Sequence, residues 1–166
     1  MAVGTICVRN VDTATADESV AVAAERMHQR AVGALVVISA SDQVIGIVTD
    51  RDLVSRVLAK GRNPRETSLR DVMTLSPKTV TEWTPIETAL LTMRTGRFRR
   101  LPVVDHDHKL VGLICLDDVL MLLAEEFSQV GRLLKRETPR AVIEDPNSPL
   151  SGVNRFQSEA RLEVGD

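Results

Sequence analysis

Residues 46–52, Gly-Ile-Val-Thr-Asp-Arg-Asp, end an apolar run with a hydroxyl, an arginine and two carboxylates in four successive positions. Thr49 and Asp52 stand three apart, where a strand would give way to a helix. At such a junction the first helical N–H groups lack intrahelical partners, and the dipole favours a carboxylate. Two chemistries fit. A threonine and an aspartate so placed can cap the helix. They can equally offer a hydroxyl and a carboxylate to a ligand, the carboxylate accepting from vicinal ribose hydroxyls while helix-terminal N–H groups suit phosphate. Residue types alone leave the choice open. Arg51 is similarly open, as a solvated surface charge or a phosphate contact.

The layout recurs. Residues 112–118, Gly-Leu-Ile-Cys-Leu-Asp-Asp, put Cys115 where Thr49 stood, Asp117 where Arg51 stood, and Asp118 where Asp52 stood. Sliding the chain by 66 positions lays residues 7–57 on 73–123 without a gap. Thr13, Thr15, Ala23, Met27, Leu35, Val37, Gly46 and Asp52 then fall on Thr79, Thr81, Ala89, Met93, Leu101, Val103, Gly112 and Asp118. Between these identities one aliphatic replaces another, as in Val20/Ile86, Ile47/Leu113 and Val48/Ile114. Self-similarity at a fixed period is the mark of a repeat.

Each copy must position its polar junction with the same elements. Val20, Ala23, Ala24 and Met27, matched by Ile86, Ala89, Leu90 and Met93, recur at i, i+3, i+4 and i+7, one face of a helix. In the second copy Thr84, Pro85 and Glu87 predict a capping box at the helix start. The β-branched runs ALVVI and VIGIV, and LPVVD and LVGLI, predict two hairpins turning at SASDQ and DHDHK. A helix follows each hairpin, one from about Arg51 to Lys60 and closed by Gly61, the other from about Asp117 to beyond Phe127. The expected fold class is α+β, with two β-α-β-β-α repeats over residues 1–62 and 63–134. A three-stranded sheet with two helices on one face leaves its other face bare, so the repeats should pack sheet to sheet. Residues 135–166 lose the apolar rhythm and carry three prolines, which reads as a polar tail.

A tandem β-α-β-β-α with G-h-h-T-x-x-D closing the first copy, Asp-Val-Met at 71–73 and Leu-Pro-Val-Val-Asp at 101–105 resembles a CBS-domain pair, or Bateman module, of the stand-alone prokaryotic type. The resemblance covers about residues 5–130. It implies a pseudo-twofold, non-catalytic module whose two clefts bind adenine nucleotides such as AMP, ADP or ATP, or another adenosyl compound, and which forms a homodimer serving an effector protein. It implies that Thr49 and Asp52 contact phosphate or ribose. Each cleft would join the T-x-x-D of one copy to the first-strand loop and pre-hairpin segment of the other. The Asp52 cleft then gathers Thr49, Arg51, Asp52, Pro77, Lys78, Phe98, Arg99 and Arg100, a set rich in cations for phosphate. The Asp118 cleft takes Val11, Asp12, Gly33, Ala34, Cys115 and Asp118, with a thiol for the hydroxyl and Asp12 where the other has Lys78. Arg99 and Arg100 are alternatives for either cleft. A neutral adenosine-like ligand, or none, suits the second cleft better than a triphosphate, and a dimerisation scaffold with empty clefts is the rival reading of the whole.

Other classes find little support. Apolar residues make up 43% but aromatics only 2%, so the base-stacking platforms of single-strand nucleic-acid binders are missing. A formal charge of -2 supplies no basic field for DNA, RNA or anionic lipid. No apolar run approaches the roughly 20 residues that cross a bilayer, and the N-terminal stretch lacks a signal-peptide core, so a soluble, cytoplasmic protein is expected. Cys7 and Cys115 lie in apolar stretches, as reduced structural thiols do. Residues 105–108, Asp-His-Asp-His, suggest metal, but they fall where the second hairpin must turn and no further ligand set of suitable spacing accompanies them. His28 should lie exposed on its helix. No nucleophile has a histidine base and an orienting group beside it, so no enzyme is expected. Leu120, Leu123, Phe127 and Val130 extend the last helix's apolar face beyond the repeat, for packing within the chain or on a partner.

Overall fold

The structure is a computed structural model describing residues 1–137. The chain divides into two units, residues 1–121 and 122–166. The first holds both repeats, and their elements come in the expected order. Strand β1 (Thr13–Ala14) leads to α1 (Val20–Arg30), the hairpin β2 (Ala34–Ile38) and β3 (Val44–Thr49), and α2 (Asp50–Arg56). After β4 (Thr74–Leu75) the order repeats: β5 (Val80–Thr81), α3 (Ile86–Gly96), β6 (Arg100–Val104), β7 (Leu110–Cys115) and α4 (Leu116–Glu137). The fold is mixed α and β, with two sheets and two repeats.

The helical faces follow the apolar spacing. Ser19 caps α1 by accepting from the Val22 N–H, and Val20, Ala23 and Met27 are buried. In α3 the buried residues are the matching Ile86, Ala89 and Met93. The capping box expected at Thr84 does not form. Pro85 is the N-cap and makes no side-chain bond, because the Thr84 hydroxyl turns back to accept from the Thr81 N–H at 3.0 Å. The Ile86 N–H goes instead to the Met1 carbonyl at 3.2 Å. Helix α2 is shorter than expected. It ends at Arg56 and passes through a 3-10 turn, Leu58–Lys60, to Gly61, whose φ of 62° a glycine tolerates without strain.

The second sheet has the expected three strands and the first has four, because the repeats trade segments. In the first sheet the order is β1-β2-β3-β4, and β4 comes from the chain leading into the second repeat. It pairs Thr74 with Ile47 and Leu75 with Gly46. Reciprocally, Val8 bridges Leu113 on the edge of the β5-β6-β7 sheet. The lead-in segments dock alike: Leu69 N–H donates to the Glu18 carbonyl at 2.8 Å, and Val3 N–H to the Thr84 carbonyl at 2.8 Å. Each exchange is the other displaced by 66 positions, as a pseudo-twofold relation requires. Glycine is needed where the traded segment crosses the sheet. A Cβ on Gly112 would meet Cys7 Sγ at 2.9 Å and the Val8 carbonyl at 3.0 Å, and one on Gly46 would meet Met73.

One core cluster joins α1, β2, β3 and α2 to Leu69, Val72 and Met73 of the traded segment. The first repeat's core is thus completed by residues that precede the second. In the unit of residues 122–166, α4 continues to Glu137; Leu123, Phe127 and Val130 along it are exposed. Of the expected polar tail, residues 138–166 lie outside the described residues.

Candidate functional site

The β3–α2 junction is a capping box. Asp52 Oδ2 accepts from the Thr49 N–H at 2.9 Å and from the Thr49 hydroxyl at 2.7 Å, while the Asp52 N–H donates to Thr49 Oγ1 at 3.2 Å. The other oxygen, Oδ1, pairs with Arg56 Nη2 at 3.0 Å. A carboxylate offers about four acceptor positions. Two hydrogen bonds occupy Oδ2 and one ion pair engages Oδ1, which leaves one position on Oδ1.

That box forms one side of a cleft of about 560 Å³. All eight residues expected around Asp52 line it: Thr49, Arg51 and Asp52 from the junction, Pro77 and Lys78 from the stretch after β4, and Phe98, Arg99 and Arg100 from the start of β6. The traded strand explains the meeting, because β4 runs beside β3 and delivers Ser76, Pro77 and Lys78 directly to the end of the first hairpin. Six cations, Arg51, Arg56, Lys78, Arg97, Arg99 and Arg100, face the cleft against two carboxylates, Asp50 and Asp52. Among the described residues only Arg56 of these six is ion-paired. Cations without an ion pair beside a carboxylate that keeps one acceptor position suit an anion that also carries hydroxyls.

The sequence reading missed Arg56, Asp50, Thr74, Ser76 and Arg97, all of which line the cleft. Arg56 had a signal: it stands four residues after Asp52, the favoured orientation for a helical ion pair. Ser76 and Arg97 had none. Both adopt positive φ, 44° and 57°, where glycine or asparagine would have announced the turn.

The second group is arranged differently. The Cys115 N–H donates to Asp118 Oδ2 at 2.7 Å, so this junction keeps the carboxylate half of the box and lacks the hydroxyl half. Asp12 is committed to Arg30 Nε at 3.0 Å. Val11 and Asp12 precede β1, where the Asp12 carbonyl accepts from the Val36 N–H at 3.2 Å. Ala34 is buried beside Thr49 in the β2–β3 pairing. Gly33 and Cys115 are joined by Arg100, which pairs with Cys115 across β6 and β7 and places Nη2 3.1 Å from where a Cβ on Gly33 would stand. Arg100 therefore reaches both groups. Burial raises the Cys115 thiol pKa, Asp118 adds to the rise, and Arg100 opposes it; the thiol stays protonated and weakly nucleophilic.

Asp105 holds its turn, with Oδ1 accepting from the N–H groups of Asp107 and Lys109 at 2.9 Å each. His28 is exposed. Among the described residues no three potential ligands cluster for a metal, and no helix is long and apolar enough to cross a membrane.

A family model described as CBS domain matches this chain twice, over residues 3–59 and 69–125. An uncharacterized protein of Methanopyrus kandleri is 35% identical over 122 residues, 74% of this chain and 62% of that protein. The mitochondrial CBS domain-containing protein CBSX3 of Arabidopsis thaliana is 34% identical over 116 residues, 68% of this chain and 56% of that protein. The matched region thus spans about three fifths of the length of these curated relatives. Among solved structures, CBSX2 in complex with AMP superposes with a TM-score of 0.66 at 28% identity, covering 75% of this chain and 97% of that one.

Proposed function

Because the chain belongs to the CBS domain family, with one copy over residues 3–59 and another over 69–125, we propose that it binds an adenine nucleotide in the Asp52 cleft and pairs with a second copy of itself. CBS domains are regulatory, non-catalytic modules, and the reading stays within that class. The observation that carries it is the gathering of Arg51, Lys78, Arg97 and Arg99, cations from both repeats without an ion pair among the described residues, beside a capping box whose Asp52 keeps one acceptor position. Arg51, Lys78, Arg97 and Arg99 suit phosphate, Asp52 suits a ribose hydroxyl, and Phe98 with Pro77 offers apolar surface to a base. A volume of 560 Å³ falls within the usual range for small-ligand sites, about 300–1,000 Å³. The AMP bound by CBSX2 supports the same ligand class here. The Asp118 group, with Asp12 already paired and a thiol for the hydroxyl, suits a neutral adenosyl ligand or none.

Calorimetric titration with AMP, ADP, ATP, S-adenosylmethionine and NAD tests the reading. Saturable binding of at least one phosphorylated adenosine is expected, tighter than S-adenosylmethionine, which carries no phosphate. If no compound binds, the nucleotide reading fails and a scaffold with empty clefts takes its place.

Self-association draws on α4. Leu123, Phe127 and Val130 recur at a 4–3 spacing and are 44%, 73% and 51% exposed. Sedimentation velocity is expected to show a dimer that Phe127→Glu converts to monomer; a wild-type monomer at high micromolar concentration removes the second copy from the reading.

A further inference from the structure

Arg56 joins a carboxylate of its own helix to two groups 16 and 18 residues further along the chain. Nη2 lies 3.0 Å from Asp52 Oδ1 and 3.1 Å from Thr74 Oγ1, and Nη1 donates to the Val72 carbonyl at 2.6 Å. Asp52 is one of the two carboxylates of the cleft. Val72 and Thr74 belong to the traded segment, which is anchored by the buried Leu69, Val72 and Met73 and continues through Ser76 to Pro77 and Lys78 on the opposite wall. A planar fork of donors can hold both walls in register. The second repeat has no such tie: four residues after Asp118 stands Leu122.

We infer that Arg56 is a positioning residue that couples occupancy of the cleft to the traded segment, residues 72–76, so that a ligand on the first repeat is felt by the chain that leads into the second. The inference rests on the nucleotide reading above. Asp52 has one acceptor position left, on the oxygen that holds Arg56. A ribose presents two vicinal hydroxyls. Seating both on Asp52 draws Oδ1 away from Arg56, and the guanidinium must then lean more heavily on the Val72 carbonyl and Thr74. Seating one hydroxyl keeps Arg56 in place and fixes it further. In the first case the bonds to residues 72 and 74 are redistributed, in the second they are held more tightly, and in both the hold on this segment depends on occupancy. A ligand differs in its effect on two states only through such differential contacts.

Hydrogen–deuterium exchange on the full chain tests this, with AMP as the probe at a concentration saturating each variant. In the wild type AMP is expected to slow exchange of the amides at 49–53 and also at 73–76. Arg56→Lys keeps a charge for Asp52 but loses the fork. With AMP at a concentration that saturates this variant, AMP is expected to slow 49–53 alone. Arg56→Ala is expected to bind about tenfold more weakly and to lose the response at 73–76. A response at 73–76 in Arg56→Lys equal to that of the wild type overturns the coupling and leaves nucleotide binding intact, as does a wild-type response confined to 49–53. No slowing anywhere in the wild type overturns the nucleotide reading, and the coupling with it. Should Arg56→Ala fail to fold, the wild type and Arg56→Lys decide the matter.

Discussion

Leu69→Ala is expected to lower the unfolding free energy by about 2–5 kcal/mol and to do so in a single transition. Leu69 is completely buried, and it packs in a cluster with Val20, Ala23, Met27 and Leu53 of the first repeat although it precedes the second. Its N–H is held by the Glu18 carbonyl at 2.8 Å, so the backbone has little freedom to close the cavity. For a domain whose total stability is of order 5–15 kcal/mol this is a large fraction, visible as a fall in Tm of roughly 4–20 °C. The single transition is the more informative half. Leu69 ties the second repeat's lead-in to the first repeat's core, and Val8 ties the first repeat's lead-in to β7, so neither repeat keeps its core when the other opens. Leu75→Ala, on the same segment but 64% exposed, is the control, expected to change stability by no more than about 0.5 kcal/mol. Two resolved transitions in calorimetry, with only one moved by Leu69→Ala, would mean that the traded segments carry no shared energy.

The traded segments also show where the sequence stops speaking. A displacement of 66 positions identifies Leu69 with Val3 and Met73 with Cys7, and it says that whatever one segment does, its counterpart does also. It does not say on which repeat the segment lies, because self-similarity is the same whether a strand pairs within its own repeat or across to the other. Apolar periodicity gave α1 and α3 and both hairpins for a physical reason: their buried faces are set by local geometry, period 3.6 or 2. The αL positions escaped. Ala31 and Arg97 close α1 and α3 at φ 52° and 57°, and Asp42 and His108 turn the two hairpins at φ 60° each. They match pairwise across the repeat while sharing no residue type. The surrounding fold imposes the conformation at a cost of about 1–2 kcal/mol for a residue with a Cβ, and composition therefore leaves no trace of it.

The cleft was legible to the extent that its residues carry unusual chemistry for their place. Thr49 and Asp52 stand out at a strand end, and the arginines before β6 stand out before an apolar run. Between capping and ligand binding, which residue types could not resolve, the structure shows the capping half directly, and the cap does not use up the Asp52 carboxylate. Thr49 Oγ1 and Asp52 Oδ2 are consumed by each other, and Oδ1 is left to Arg56 at 3.0 Å. Arg56 stayed hidden because an i,i+4 pair on a helix is ordinarily a surface feature worth a few tenths of a kcal/mol. Its bonds to residues 72 and 74 depend on the traded segment, which the sequence does not place.

On the nucleotide reading, Asp52 and Asp118, identical in the repeat, are expected to be unequal in function. Asp52→Ala is expected to weaken nucleotide binding about ten- to hundredfold, the loss of one charge-assisted hydrogen bond of about 1.5–3 kcal/mol, and to cost about 0.5–2 kcal/mol of stability from the lost cap. Because folding and binding both depend on this carboxylate, alanine alone does not separate them. Asp52→Asn does. Its amide oxygen still accepts from the Thr49 N–H, preserving most of the cap, while the negative charge that holds Arg56 at 3.0 Å is gone. Thermal unfolding of Asp52→Asn should therefore lie close to wild type, and calorimetry should still show the binding loss. Binding equal to wild type in Asp52→Asn would make Asp52 a cap and nothing more. Asp118→Ala removes a single bond, from the Cys115 N–H at 2.7 Å, at a junction whose thiol replaces the hydroxyl and whose expected neighbour Asp12 is already paired with Arg30. It should lose stability and leave nucleotide affinity within about twofold of wild type, below the smallest charged-bond loss. Should Asp118→Ala weaken binding as much as Asp52→Ala, the two junctions are functionally equal, and the exchange of threonine for cysteine between repeats has no bearing on where phosphate is held.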